Sequence, residues 1–270
     1  MAVITKITVQ QKQKDRYNIY IDDGNGEKYA FSVDEAVFIQ YKLKKGMELD
    51  EFTMTEILFQ DDIHKAYSFA VKFLAVRMRS ELEVTNHLQK KGVAETIIRE
   101  VIHKLKKQQY INDQEFANAY VRTQMNTSDK GPVVIRQELK QKGMTEAIIE
   151  EALQEYPYEK QLEQAIACAE KFFRKKQDDS SKAIKQKLEL LLVRKGFPFE
   201  IIHEAIREID LENSGDQEKA ALRKQGEKLI SKYKRYSGDE FLQKMKQALY
   251  RKGFSLELID EFLTEIRNEE

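Results

Sequence analysis

The chain carries no excess of either charge. Its 46 basic and 46 acidic residues cancel, and together they make up 34% of 270 residues. This excludes a whole-protein basic field for capturing nucleic acid, although local patches remain open. Cysteine occurs once, at Cys168 within the apolar stretch AIACAEKFF. No disulfide framework can form within one chain, which suits a reducing compartment, and the thiol reads as a small buried residue. No run of apolar residues approaches a membrane span, and MAVITKITVQQK at the N-terminus lacks the apolar core of a signal peptide. The expectation is a cytoplasmic protein without a membrane partner.

Catalytic patterns are equally scarce. His64, His87, His103 and His203 never pair at metal-ligand spacing. His203 and Glu204 begin like a zinc-protease helix, but Arg207 stands where the second histidine would be needed. Gly24 and Gly26 lie in a hairpin turn and open no helix, so no phosphate loop is present, and there is no GxSxG. The reading is a non-enzyme with no cofactor and no metal.

What the chain does have is one phrase used four times. It reads LQKKGVAETIIREVI from Leu88, LKQKGMTEAIIEEAL from Leu139, LVRKGFPFEIIHEAI from Leu192 and LYRKGFSLELIDEFL from Leu249. Gly92, Gly143, Gly196 and Gly253 each follow a lysine and stand four residues after a leucine, at spacings of 51, 53 and 57 residues. That period suits a unit of about three helices. The stretch before each glycine ends a helix, and glycine takes the left-handed position that a side chain resists. Val93, Met144, Phe197 or Phe254 then folds back on the last turn, and lysine complements the helix dipole. The next helix opens at Ala94, Thr145, Pro198 or Ser255, where Thr and Ser suit an N-cap and Pro a first turn. Apolar residues five, six, nine, ten and thirteen places past the glycine form a helical stripe.

Taken in order, residues 1–60 read as a small β-meander from Ile4 to Val33, a short helix over Asp34–Leu43 and a further extended piece after Gly46. A piece this small is near the minimum for independent stability and is expected to pack on the first repeat. Three-helix repeats follow at residues 61–109, 110–157, 158–215 and 216–270. In the first, Ala66, Tyr67, Ala70, Val71 and Leu74 share one face of the first helix, and Leu82, Val84 and Leu88 lead the second. Asn112 or Asp113 caps the first helix of the second repeat. Pro132 starts that repeat's second helix, and residues 211–216 (LENSGD) form the best linker.

Charge is shared unevenly. Residues 61–109 carry +4 (10 basic, 6 acidic) and residues 110–157 carry −3 (5 basic, 8 acidic). The stretch Arg77 to Glu83 stands out at the junction of the first two helices. Ser80 and Glu83 fit a capping box there, and two arginines two apart cannot share one helix face.

Several stretches together resemble the RecX family, regulatory partners of the recombinase RecA. They are Arg77-x-Arg79-Ser80-Glu81-x-Glu83, Leu88-x-x-Lys91-Gly92, Tyr110-Ile111-Asn112-Asp113 with Phe116-Ala117, and Lys130-Gly131-Pro132 through Arg136 to Lys142-Gly143. The likeness is close over the first two repeats and looser over the third and fourth. A fourth repeat and the strand-rich extension depart from the shortest members and match the longer ones of Gram-positive bacteria, and Val84 stands where leucine is usual. The resemblance implies a mainly α protein: an elongated, curved array of four three-helix repeats. It implies a monomer that binds the RecA filament and modulates, usually inhibits, its ATPase and strand exchange. From charge and repeat position, and not from the family, the exposed basic residues Arg77, Arg79, Lys91, Arg136, Lys140, Lys142, Lys195 and Lys252 are the candidate partner contacts. The alternative is an autonomous DNA-binding protein acting through the basic first repeat, since three-helix units can imitate helix-turn-helix modules. DNA contact is otherwise expected to be weak.

Overall fold

The structure, a computed structural model, describes residues 1–175, 178–209 and 215–269. Among these it holds thirteen helices and four short strands, grouped in two compact units, Met1–Phe116 and Ala117–Glu270.

The first unit opens with β1 (Ala2–Val9), β2 (Arg16–Asp22) and β3 (Glu27–Asp34), alternating in burial as strands must when one face is covered. With β4 (Glu48–Leu49) they form an antiparallel sheet in the order β3-β2-β1-β4, so the expected meander gains a fourth, two-residue edge. Ile4 lies opposite Ile21, and Ile19 opposite Phe31, all four buried. The β2–β3 turn closes on Asp22, whose Oδ1 accepts from the N–H groups of Gly24 (2.8 Å) and Gly26 (3.0 Å). Helix α1 (Glu35–Gln40) is capped by Asp34 and stops earlier than the sequence suggests, because Lys42 is left-handed (φ 51°).

Helix α2 (Glu51–Leu74) corrects the reading of the next stretch. Asp50 caps it by accepting from Thr53 N–H at 2.6 Å, and it runs through residue 60 without a break. Its first half covers the sheet through Ile57, and its second half contributes Ile63, Ala66 and Ala70 to the first three-helix core. One helix therefore serves both layers. A buried ion pair fixes it to the sheet: Asp61, 1% exposed, receives Arg16 Nη2 at 2.8 Å, Lys65 Nζ at 2.8 Å and the Asp34 N–H at 2.7 Å. Burial alone would raise the Asp61 carboxyl, but the hydrogen bonds from Arg16, Lys65 and the Asp34 backbone outweigh it and hold it below the usual carboxylate range.

Helices α3 (Glu81–Lys90) and α4 (Glu95–Lys107) complete the first repeat. Val84 and Leu88 of α3 face the α4 stripe Ile97, Ile98, Val101, Ile102 and Leu105, while Leu82 stays outside. In α5 (Asp113–Thr127), Asn112 is the cap, its Oδ1 accepting from Gln114 and Glu115 N–H. Asp113 instead accepts from Glu81 N–H at 2.9 Å, capping α3.

The second unit continues the pattern with α6 (Pro132–Gln141), α7 (Glu146–Leu153), α8 (Tyr158–Phe173), α9 (Ser181–Lys195), α10 (Phe199–Glu208), α11 (Gly215–Tyr233), α12 (Gly238–Arg251) and α13 (Leu256–Glu269). Pro132 is the first residue of α6, as its fixed φ favours, whereas Pro198 sits one place earlier, as the N-cap of α10. Of the expected linker, residues 211–214 lie outside the described residues, and Gly215 and Asp216 open α11.

All four repeat glycines are left-handed, with φ of 76° at Gly92, 86° at Gly143, 85° at Gly196 and 95° at Gly253. In each, the N–H after the glycine donates to the leucine carbonyl, as from Val93 to Leu88 (3.2 Å) and Phe197 to Leu192 (3.1 Å). The glycine N–H donates three residues back, which completes a Schellman stop. In the second unit two of these turns, at Gly196 and Gly253, also join repeats. Gly131 N–H donates to Lys195 O (2.7 Å) and Val133 N–H to Gly196 O (3.1 Å). Ser180 Oγ donates to Lys252 O at 2.6 Å. A Cβ on Gly196 would stand 2.7 Å from Val134, whereas one on Gly92 would meet nothing within 4 Å.

Two outcomes follow. Gly92→Val should cost about 1 kcal/mol for its backbone alone, and Gly196→Val clearly more, because it also forces the joint apart; equal melting-temperature losses would refute the joint. Asp61→Asn should cost about 3 kcal/mol at neutral pH by leaving Arg16 buried without its counter-charge. A depressed carboxylate contributes fully above its unfolded value of about 3.9 and loses that contribution as pH falls through the lower folded value. The gap between wild type and Asp61→Asn in urea titrations should therefore close under acid.

Candidate protein-contact surface

The eight basic candidates fall into distinct environments. At the end of α2, Ser80 caps α3 by accepting from Glu83 N–H (3.2 Å), and Glu83 Oε2 accepts from Ser80 N–H (3.3 Å), the expected capping box. Arg77 is exposed but paired to Glu83 at 2.9 Å. Arg79 is half-buried, with its guanidinium 4.1 Å over the Phe73 ring. Phe73 also stacks on His87 at 4.1 Å, with the rings 1° from parallel. Burial lowers the His87 pKa, and the charges of Lys91, Arg79 and Lys90 lower it further, so the imidazole is neutral at pH 7. Lys91 is exposed and lies 5.9 Å from the centre of the Phe69 ring.

Repeat geometry explains the others. Arg136 stands seven residues before Gly143, and Glu150 seven after it; their side chains meet at 2.6 Å, bridging α6 and α7. Lys246 and Asp260 hold the same two places around Gly253 and meet at 2.5 Å. Arg136 also pairs with Glu146, which Lys140 reaches at 2.8 Å. Lys142 is half-buried over Tyr120 (5.3 Å), and Lys195 pairs with Asp129 at 2.5 Å. Lys252 is exposed at its side chain, while its carbonyl joins repeats. The expectation that all eight are exposed is thus corrected for Arg79, Arg136, Lys142 and Lys195. They sit where helices meet, and burial of a long cation is tolerated there because each finds a carboxylate or an aromatic face.

No three His, Cys, Asp or Glu side chains among the described residues are placed to hold a metal. Cys168 is half-buried; burial first, and then the neighbouring Asp129 charge, push its thiol up and away from the reactive thiolate. A groove of about 580 Å³ between α11 and α13 is crossed by Lys219–Glu261 (2.9 Å) and Arg223–Glu265 (2.8 Å), which neutralise one another. No helix among the described residues is long and apolar enough to cross a membrane. Sequence reasoning missed the Arg79–Phe73–His87 stack, although Phe69 and Phe73, one turn apart on α2, were the signal for an aromatic strip facing α3.

Comparison with known proteins accounts for the repeats one by one. Residues 2–50 match the N-terminal domain of regulatory protein RecX, 66–105 the first RecX three-helix domain and 112–153 the second. The third RecX three-helix domain matches twice, at 159–206 and 216–263. Regulatory protein RecX of Bacillus cytotoxicus is 50% identical over 263 residues, 97% of each chain. The chain belongs to the RecX family. A crystal structure of a regulatory protein RecX is similar at 40% identity and a TM-score of 0.67, covering 77% of this chain and all of that one. That of RecX from Lactobacillus salivarius, also 40% identical, has a TM-score of 0.55 and covers 56% of this chain and 99% of its own. The third-domain pattern thus accounts for both the third and the fourth repeat. The family is described as regulatory, in keeping with a RecA regulator.

The ion pairs make a prediction about how mutants of this surface must be read. Arg136→Glu places a third carboxylate beside Glu146 and Glu150 and should lower stability by about 1 kcal/mol. Lys91→Glu, which breaks no ion pair, should leave the melting temperature nearly unchanged. Equal melting temperatures for the two variants would show that the Arg136 pairs contribute nothing.

Proposed function

We propose that this RecX-family protein binds the RecA nucleoprotein filament and inhibits its ATP hydrolysis and strand exchange. The observation that supports the reading is the match, along the N-terminal domain and every repeat, to proteins named for regulation. Repeat arrays act by presenting surface rather than by enclosing substrate. The exposed candidates Arg77, Lys91, Lys140 and Lys252 are the side chains of the original set best placed to meet a partner, with Arg79, Arg136, Lys142 and Lys195 acting through the shape they maintain.

Autonomous DNA binding is the competing outcome, and the pairing of charge weighs against it. In the basic first repeat, Lys65, Arg77, Arg99 and Lys106 are each matched to carboxylates within the protein. Fewer unmatched cations mean fewer counterions released from DNA and weaker binding.

The test is the single-strand-dependent ATPase of cognate RecA with this protein titrated in. Inhibition well below one molecule per RecA is expected. Inhibition that disappears when excess DNA is supplied would point to competition for the strand instead. No effect at equimolar protein would refute the inhibitor reading.

A further inference from the structure

The first half of α2 has an apolar side that the fold leaves open. Phe52 and Phe59, two turns apart, stand on the same side of the helix as Ile63, Ala66 and Ala70 further along it. Those three are buried in the first three-helix core. Phe52 is 78% exposed and Phe59 38%. The difference lies in α4, which ends beside Tyr67: Gln108, its C-cap, accepts from the Tyr67 hydroxyl at 2.6 Å. The same stretch is one-sided in charge. Between Lys45 and Lys65 stand six carboxylates, Glu48, Asp50, Glu51, Glu56, Asp61 and Asp62, and no lysine or arginine. Arg16 and Lys65 pair with Asp61 and Asp62, so four of the six have no ion pair among the described residues. Glu56 follows Phe52 by one turn and Asp62 follows Phe59 by one turn, while Glu51 adjoins Phe52; all three are exposed. Glu56 is held in place by the Tyr41 hydroxyl, which it accepts as a hydrogen bond.

We propose that Phe52 and Phe59, bordered by Glu51, Glu56 and Asp62, seat a basic protein segment that carries an apolar side chain. This rests on the functional reading above, in which that segment belongs to the RecA filament. The chemistry is that of a small protein interface, with an aromatic centre that excludes water inside a charged rim. The basic character of the partner follows from charge complementarity with the carboxylates on the same half of the same helix. The seat lies on the helix that joins the sheet to the first repeat, so it is presented on a rigid element whose other side is fixed by Ile57 and the Arg16–Asp61 pair.

Nucleic acid fits the same face poorly. An exposed phenylalanine can stack on a base, but single-strand binding also needs a positive groove to follow the phosphates. Here the side chains bordering both rings are carboxylates, which repel phosphate. An anionic lipid surface is disfavoured for the same reason.

The experiment measures binding of the labelled full chain to preassembled filaments of cognate RecA on single-stranded DNA, and separately to the same DNA alone. It compares wild type with Phe52→Asp, Phe52→Leu and Glu51→Lys. Phe52→Asp should weaken filament binding by about tenfold or more. Its melting temperature should be retained, because an acidic side chain suits the first turn of a helix. Phe52→Leu, which keeps an apolar side chain, should bind like wild type. Glu51→Lys should weaken binding about threefold at low salt, and the gap should close as salt screens the charges. Wild-type affinity in Phe52→Asp, or tighter binding by Glu51→Lys, would overturn the seat while leaving the functional reading standing. Weakened binding of Phe52→Asp to DNA alone, with filament binding intact, would assign the face to nucleic acid and overturn it too. A wild type that fails to bind filaments would overturn the functional reading and this inference with it.

Discussion

A helix that stops on a left-handed residue turns its last carbonyls back onto the N–H groups that follow, and it leaves its penultimate carbonyl pointing outward. In this chain that outward carbonyl belongs to the lysine before each repeat glycine. At Lys195 it accepts the N–H of Gly131, and at Lys252 the hydroxyl of Ser180. The turn therefore does two jobs with one conformation: it ends the second helix of its own repeat and receives the start of the second helix in the repeat before. At Gly196 glycine is required twice over, by its left-handed φ and by the 2.7 Å approach to Val134 that a Cβ would create, while at Gly131 it is the 2.3 Å approach to Gly196 O alone that requires it.

Around each turn, electrostatics does positional rather than catalytic work. Residues seven places either side of the glycine face one another across the second and third helices, as Arg136–Glu150 and Lys246–Asp260 do. In the third repeat the same places hold Glu189 and His203, and in the first Thr85 and Arg99, so the pair is a site of variation within a fixed frame. A balanced chain with 34% charge is what such a frame produces. Part of the charge is spent within the molecule, fixing how neighbouring helices meet.

How much of this could be read from residues alone varies with distance along the chain. The Schellman stops, the Ser80–Glu83 capping box, the Asn112 cap and the third-helix stripes involve partners within six residues or at fixed helical spacing. Local patterns reveal them. Helix α2 escaped over its first ten residues because FTMTEILFQDD shows no clean periodicity; its buried Asp61 reads as a surface residue until Arg16, 45 residues earlier, is brought beside it. The candidate surface was half legible. Arginine and lysine positions are visible in sequence, but whether a cation faces solvent depends on the carboxylate or ring that another helix delivers.

The sequence by itself determined the helical repeat, its period, the places where helices stop and the family. All of these rest on the backbone preferences of glycine, proline and capping residues, and on the 3.6-residue period of apolar side chains. Only the tertiary structure decided which charges are consumed internally, that one helix serves both the sheet and the first repeat, and that the turns at Gly196 and Gly253 act as joints. Those outcomes depend on carbonyls, carboxylates and rings brought together from distant parts of the chain, and no local propensity encodes a partner that lies dozens of residues away.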